Sequence, residues 1–377
     1  MKKISWLIPS SWLAFLMPIL AVILLVPLDP GVTVGDFEPA QYTGKLNPSP
    51  LYITIQDHYF RVKEDSDACH AWLYLPKELF ENANEKNATA TARPSPPVVL
   101  MANGFAEQKD WGLDIYAEHF VAKGYAVLLF DYRTFGASQG SPRNWVSPRR
   151  HVEDWNAAID HVTNTQGFGG MINPNKIGLW GVSFAGGHVL TVASQRQNDT
   201  NIVGVVAQTP YLKSSASTKR TNQKRGKLGK IRLALAALQD AARGYLGLEP
   251  VVIPIIGVAG QLSMLQSTPE RLQEYFSMHP PQKLGGWINQ GPVRGLFELK
   301  SYNPLESVRR SPPKMPVLLV GGSRDALCPV EAIEEVHRLM PNSRVIIRNA
   351  SHQEIIGPDH APQVGREMEK FYGECFQ

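Results

Sequence analysis

The segment 177–187 constrains this chain more than any other, because an apolar run that predicts a strand meets small residues that predict the start of a helix. Residues 181–185 read G-V-S-F-A, which departs from the usual G-x-S-x-G pattern of a nucleophile elbow only at its last position. Small residues on both sides of the serine let the strand and the helix approach closely. We therefore predict a sharp turn that presents Ser183, because a serine nucleophile must project from the backbone towards a base.

Two later strand ends supply the partners that a serine nucleophile needs. One apolar run is followed by Asp325, and the next is followed by His352. Taken singly, an aspartate in such a position is more often a turn residue or a helix N-cap. The chain order serine, acid, histidine nevertheless matches a catalytic triad, in which the imidazole takes the serine proton and the carboxylate orients the imidazole. We predict Ser183 as nucleophile, Asp325 as acid and His352 as base, with His360 as the alternative base.

A triad of this kind also needs two backbone N–H donors for the negative oxygen of the tetrahedral intermediate. One donor is expected from the residue after the nucleophile, which is Phe184. The other is expected from the loop after the third core strand, where the sequence Asn103-Gly104-Phe105 follows the apolar run 98–102. We predict an oxyanion hole made by the N–H groups of Phe105 and Phe184.

Together with segments 108–114 and 130–138, these motifs resemble the α/β-hydrolase superfamily. Within it, the chain resembles the branch that contains fungal polyketide transferases, related thioester hydrolases and many bacterial hydrolases. The resemblance extends over residues 97–210 and 315–355 and is weak over 212–305. It implies acyl transfer or hydrolysis through a seryl ester, with no metal and no organic cofactor. Many relatives carry a histidine where this chain has Asn103.

The resemblance and the alternation of apolar strand runs with helical patterns predict one α/β domain over residues 31–377, with a mostly parallel, doubly wound sheet. In such sheets the site lies at the carboxyl ends of the strands. The loop residues Asp131, Tyr132 and Arg133 are interpreted as structural. We predict antiparallel strands at 51–55 and 70–75, parallel strands at 98–102, 125–130, 177–180, 202–207, 317–321 and 345–347, and helices at 110–122, 148–164, 184–195, 330–340 and 362–373.

Residues 212–305 interrupt this rhythm and predict a lid with helices at 231–246 and 269–277. Its apolar side chains either line a site for a lipid-like or polyketide acyl chain or pack the lid onto the body. The lid begins with a basic run that contains no acid, which is either a solvated face or a contact for an anionic partner such as an acyl-carrier domain. A net charge of +4 and the lack of a binding motif argue against nucleic acid as a partner. The basic run comprises Lys213, Lys219, Arg220, Lys224, Arg225, Lys227, Lys230 and Arg232.

Residues 1–30 contain an apolar stretch at 4–28 that is long enough to span a bilayer. With Lys2 and Lys3 before it, this stretch predicts a single-pass anchor with a cytosolic N-terminus and a lumenal or extracellular catalytic domain. A secretory signal peptide is the alternative. Glycosylation is predicted at Asn87 and Asn198, which begin N-x-T sequons. The three cysteines give no disulfide framework, and we interpret Cys328 as a small buried residue.

The sequence thus predicts a serine hydrolase or acyltransferase that acts on an ester or thioester. Two alternatives remain open at this point: an X-Pro-type serine peptidase, and a non-catalytic binding protein that keeps the hydrolase fold.

Overall fold

The computed structural model describes residues 17–18, 21–22, 26–36, 52–62, 67–77, 95–278 and 287–377. The described strands, in chain order, are β1 Thr33–Val34, β2 Tyr52–Arg61, β3 Ala68–Pro76, β4 Val98–Ala102, β5 Ala126–Phe130, β6 Ile177–Val182, β7 Ile202–Gln208, β8 Val251–Ile253, β9 Ile256–Val258, β10 Leu265–Ser267, β11 Gly291–Pro292, β12 Val317–Gly322 and β13 Ser343–Arg348. The described helices are α1 Asp114–Val121, α2 Pro148–Asn164, α3 Gln166–Gly170, α4 Phe184–Gln195, α5 Ser214–Tyr245, α6 Pro269–Met278, α7 Leu296–Ser301, α8 Pro304–Arg310, α9 Val330–His337, α10 His352–Ile356 and α11 Ala361–Cys375, with a 3₁₀ turn at Val293–Gly295.

Eight strands form one sheet in the order β13-β12-β7-β6-β4-β5-β3-β2. The six strands from β13 to β5 are parallel, and β3 and β2 continue the sheet in antiparallel pairing. Strands β4, β5, β6 and β12 are buried along their whole length, because helices cover both faces of the sheet. The prediction of an α/β-hydrolase fold with a mostly parallel sheet is confirmed.

The predicted elements differ from the observed ones mainly at their ends. Helices predicted at 148–164 and 184–195 have these bounds in the structure. Strand β2 is longer than predicted because it pairs with β3 as far as Arg61. Helix α1 begins at Asp114 instead of residue 110, because the residues before it form a buried loop that includes Lys109 and Trp111.

Between β7 and β12 the chain forms α5 to α8 and strands β8 to β11, which belong to two small sheets that the sequence did not predict. Sheet β1-β8-β11 is antiparallel, and β9 pairs with β10 in parallel. Helix α5 begins well before the predicted residue 231 and is broken at Gly226, whose φ of 67° lies outside the helical region. The helix predicted at 269–277 is α6.

Three members of the basic run have structural partners. Arg225 is buried and donates to the carbonyl oxygens of Ser263 and Met264, at 2.6 and 2.8 Å. Arg232 pairs with Asp29, and Lys213 lies 3.3 Å from a carboxylate oxygen of Glu335 on α9. These three cations therefore hold the insertion in place.

The predicted single-pass anchor is wrong. Within the part of the chain that the structure describes, no helix combines the length and the apolar character needed to cross a bilayer. The N–H of Val26 donates to the carbonyl oxygen of Val22, and the next residue, Pro27, has no backbone N–H to donate. The chain is then fixed to α5, since the Val26 carbonyl accepts a hydrogen bond from Gln239 and Asp29 accepts two from Arg232.

The remaining sequence predictions concern the surface and the cysteines. Asn87 lies outside the described residues. Asn198 is exposed, and its side-chain oxygen accepts a hydrogen bond from Lys314. The cysteines are free thiols, of which Cys69 and Cys328 are buried and Cys375 is half-buried.

A buried ion pair fixes the loop that follows β4. The Nζ atom of Lys109 lies 2.6 Å from Oδ2 of Asp131, and neither side chain is exposed. Lys109 Nζ also lies 2.7 Å from Nδ1 of His70. Burial first, and then the nearby Lys109 cation, lower the pKa of His70 to about 4, so this imidazole is neutral at neutral pH. Asp131 additionally accepts a hydrogen bond from the Lys109 backbone N–H, which ties the loop to the end of β5.

The turn between β6 and α4 has the predicted form of an elbow. Ser183 has φ 55° and ψ −114°, which a non-glycine residue rarely adopts. A Cβ on Gly181 would stand 2.3 Å from the carbonyl oxygen of Ala185, so only glycine fits there. Ala185 itself is part of α4. Its departure from the G-x-S-x-G pattern is therefore tolerated, because this position needs a small residue in ordinary helical conformation.

We expect Gly181→Ala to destabilise the protein by about 2–3 kcal/mol, because the added methyl group overlaps backbone atoms that cannot move independently. Ala185→Gly is the matched control and should cost about 1 kcal/mol, the ordinary penalty for glycine in a helix. Urea unfolding of both variants measures the difference. A larger loss for Ala185→Gly than for Gly181→Ala would contradict this account of the elbow.

We expect Lys109→Met to lower the free energy of unfolding by about 3 kcal/mol, because the Asp131 carboxylate stays buried without its cation. Lys123→Met is the control, since Lys123 pairs with Glu369 but is 55% exposed and should lose less than about 1 kcal/mol. Equal losses in the two variants, measured by urea unfolding, would show that the buried pair has no special weight.

Candidate active site

The structure brings the three predicted triad residues together at the carboxyl ends of β6, β12 and β13. Nε2 of His352 lies 3.0 Å from Oγ of Ser183, and Nδ1 of the same ring lies 2.6 Å from Oδ2 of Asp325. The other carboxylate oxygen of Asp325 accepts hydrogen bonds from the N–H groups of Leu327 and Cys328, at 2.7 and 2.8 Å. These bonds fix the carboxylate, so that it can orient the imidazole.

His360, the alternative base, lies instead at the N-terminus of α11. His352 is the first residue of α10, which begins with a capping box: the Ser351 hydroxyl accepts from the Glu354 N–H, and the Glu354 carboxylate accepts from the Ser351 N–H. This cap fixes the backbone beside His352, whose side chain is buried. The position of the imidazole is therefore set by local helix chemistry as well as by Asp325.

The environment of His352 favours the protonated ring. Burial alone would lower the pKa of His352, but the charge of the Asp325 carboxylate and its hydrogen bond to the ring outweigh burial and raise this pKa well above its usual value. Burial raises the pKa of the Cys328 thiol, which lies within hydrogen-bonding reach of both His352 and Ser183. A proton taken from Ser183 would therefore be stabilised on His352.

Asp325, Cys328 and His352 are also a possible set of metal ligands. One ligand atom from each of these residues lies within 4.8 Å of the other two. In the structure the imidazole is hydrogen-bonded through Nδ1 to the Asp325 carboxylate and through Nε2 to the Ser183 hydroxyl. A metal ion at this position would have to compete with those hydrogen bonds.

Phe105 and Phe184, the predicted oxyanion-hole donors, are neighbours, with ring centroids 5.5 Å apart. The loop that carries Phe105 is adjacent to the nucleophile, since a Cβ on Gly104 would stand 3.2 Å from Cβ of Ser183. Asn103, which replaces the histidine of many relatives, is buried. Its amide nitrogen donates to the carbonyl oxygens of Gln108 and Trp111, and its oxygen accepts from the Gly104 N–H. Asn103 thus closes the loop internally.

The side chains of Tyr132 and Arg133 bond to helix α2. The Tyr132 hydroxyl accepts a hydrogen bond from Trp155, and the Arg133 guanidinium pairs with Asp154 and Glu153. With the Lys109 partner of Asp131, these contacts agree with the structural interpretation of residues 131–133.

Sequence reasoning did not single out Glu107, a half-buried acid two residues after Phe105. Its Oε1 accepts a hydrogen bond of 2.8 Å from the hydroxyl of Tyr275 on α6. Burial raises the pKa of Glu107, against the opposing effects of Tyr275, His352 and the Gly104 backbone. The sequence shows an acid next to the predicted oxyanion loop, which alone could have indicated Glu107. Its partner Tyr275 is 168 residues away and could not be predicted.

Aromatic side chains from the 212–305 segment cover the same loop. The indole N–H of Trp287 donates to the carbonyl oxygen of Ala106 at 2.9 Å. The ring of Trp111 lies 4.5 Å from that of Trp287 and 5.3 Å from that of Tyr275, measured between centroids. This insertion therefore packs directly on the loop beside Ser183.

Comparison with known proteins identifies the family. Residues 94–356 match the family model described as serine aminopeptidase, S33. The quorum-quenching protein AidA of Acinetobacter baumannii is 30% identical, over 82% of this chain and 87% of its own length. The polyketide transferase grgF of a Penicillium species is 26% identical, over 72% of this chain and 86% of its own length.

The fold agrees with this comparison. The crystal structure of the α/β hydrolase GrgF from Penicillium superposes with a TM-score of 0.65 at 22% identity, covering 86% of this chain and 99% of that one. The chain therefore belongs to the S33 family of α/β hydrolases and is an enzyme of the hydrolase or acyltransferase type.

Proposed function

We propose that this enzyme cleaves a carboxylic ester or thioester through an acyl intermediate on Ser183. The observation that carries the proposal is the continuous hydrogen-bonded chain from the Ser183 hydroxyl through His352 to Asp325. This arrangement gives a serine hydroxyl, which is a poor nucleophile at its own pKa, the adjacent base that it needs.

In the first step Ser183 Oγ attacks the carbonyl carbon while His352 Nε2 takes the hydroxyl proton. The tetrahedral intermediate then collapses, the bond to the alcohol or thiol breaks, and His352 returns the proton to the leaving group. In the second step water or another acceptor attacks the acyl-enzyme, with His352 again as base. The N–H groups of Phe105 and Phe184 bind the oxyanion, and each such donor contributes about 3 kcal/mol to the transition state in enzymes of this kind.

The segment 212–305 acts in this proposal as a lid that sets the shape of the acyl site. Its Tyr275 and Trp287 are buried against the loop beside the nucleophile, which supports this role. Relatives named a thiohydrolase and a polyketide transferase support a thioester or polyketide acyl chain as substrate. Lactones are cyclic esters that the same two steps would open, so they belong in the same substrate panel.

Ser183→Ala should abolish labelling by a fluorophosphonate probe, because the probe reacts with an activated serine hydroxyl. His352→Ala should lower kcat/KM on an aryl ester by about 10³-fold or more, since the base is lost. His360→Ala is the matched control and should retain wild-type activity. Full labelling of the Ser183→Ala variant would place the nucleophile elsewhere.

The pH dependence of kcat/KM tests the part played by Asp325. Only neutral His352 can accept the serine proton, so activity should rise with pH through the ionisation of this ring. Because Asp325 raises the pKa of His352, Asp325→Asn should move this rise to lower pH while reducing the plateau by about 10³–10⁴-fold. A variant with an unshifted profile would indicate that another group controls the rise.

A further inference from the structure

Glu107 is placed where it faces both the nucleophile and the lid. Its Oε2 lies 3.1 Å from the point at which a Cβ on Gly104 would stand, and Cβ of Ser183 lies 3.2 Å from that same point. The carboxyl group and the nucleophile therefore both lie against Gly104. A larger residue at position 104 would press on both of them.

The solvent exposure of the oxyanion loop and of the elbow also distinguishes Glu107 from its neighbours. In segment 103–108 only Phe105 and Glu107 are half-buried, and the other four residues are buried. In segment 181–185 only Ser183 is half-buried. Ser183, Phe105 and Glu107 are thus the residues of these two segments that keep some exposed surface.

The hydrogen bonds of Glu107 do not use every acceptor position of its carboxyl group. Tyr275 donates to Oε1, the Gly104 backbone also bonds to the carboxyl, and His352 is close enough to act on it electrostatically. Within the described ranges no lysine or arginine forms an ion pair with Glu107, and the neighbouring Lys109 is committed to Asp131 and His70. A half-buried carboxyl without a cation is costly unless hydrogen-bond donors satisfy it.

We propose that Glu107 determines specificity in the acyl site. It accepts a hydrogen bond from a hydroxyl or amide N–H on the first or second acyl carbon after the scissile carbonyl. The inference rests on the proposed function, since it takes Ser183 as the point of attack. A substrate carbonyl held by the Phe105 and Phe184 N–H groups brings its first carbons alongside residues 104–107. A neutral donor suits this carboxyl better than a cation does, because burial disfavours the charged form of the acid.

A pair of matched thioesters tests the proposal. The probes are the N-acetylcysteamine thioesters of butyrate and of 3-hydroxybutyrate, which differ by one hydroxyl group. A hydrogen bond to a carboxylate in a partly buried site discriminates by about tenfold or more. We expect wild-type kcat/KM to favour the 3-hydroxy substrate by this factor, and Glu107→Leu to reduce the preference to about one while still cleaving the butyrate thioester.

Two variants separate recognition from support of the lid. Asp110→Asn changes another acid of the same loop, which bonds to Gln108 rather than to the lid, and should keep the full preference. Tyr275→Phe removes the lid hydrogen bond but leaves the carboxyl, and should keep most of the preference. Loss of the preference in Tyr275→Phe to the same extent as in Glu107→Leu would overturn the proposal in favour of a lid contact.

Other outcomes are equally decisive. A wild-type preference near one, in enzyme that a fluorophosphonate probe labels, would refute the role of Glu107 and leave the proposed function intact. Absence of labelling in the wild type would instead refute the proposed function. A 3-aminobutyrate thioester cleaved faster than the 3-hydroxy compound would identify a site for a cationic amine and overturn the preference for a neutral donor.

Discussion

The site depends on backbone hydrogen bonds that join the carboxyl ends of three neighbouring strands, β6, β7 and β12. The Ser183 N–H donates to the carbonyl oxygen of Gln208 at the end of β7, and the Ser183 carbonyl accepts from the Tyr211 N–H. One residue beyond Gln208, the Thr209 N–H donates to Val320 in β12, the strand that leads to Asp325. The strained backbone at Ser183 is therefore held by hydrogen bonds to its neighbour in the sheet. Since β6, β7 and β12 all contribute to the same two hydrophobic clusters, the distance from nucleophile to acid is fixed by the sheet as a whole.

The central sheet and the triad geometry were accessible from sequence because each depends on a local pattern. A buried parallel strand is a short apolar run, and the residue after it must lie at the carboxyl edge of the sheet. Ser183 and Asp325 follow such runs, and His352 follows β13, a parallel strand that is only partly buried. Their convergence then needs only the strand order that right-handed crossovers impose. Ala185, where the usual G-x-S-x-G pattern has glycine, is also explained locally, because this residue has ordinary helical conformation.

The rest depends on contacts between distant segments, which local patterns do not encode. Strand β1 has two residues and forms only because β8, more than 200 positions later, offers an edge. Arg225 reads as one more cation in a basic run, yet it is buried against carbonyl groups of residues 263 and 264. Hydropathy likewise predicted a membrane span at 4–28. The hydrogen bonds that join Val26 and Asp29 to α5 could not be deduced from the apolar pattern. Glu107 could not be identified from sequence for the same reason, because its hydrogen-bond partner Tyr275 lies 168 residues away in the chain.

The attachment of residues 26–34 to the insertion couples two parts of the molecule that are far apart in the chain. Val26 and Asp29 are bonded to α5, and Thr33 and Val34 extend the sheet of β8 and β11. The same insertion carries Tyr275 and Trp287, which rest on the loop beside the nucleophile. Residues 26–34 and the loop beside the nucleophile are therefore bonded to the same insertion, which joins the two across the fold.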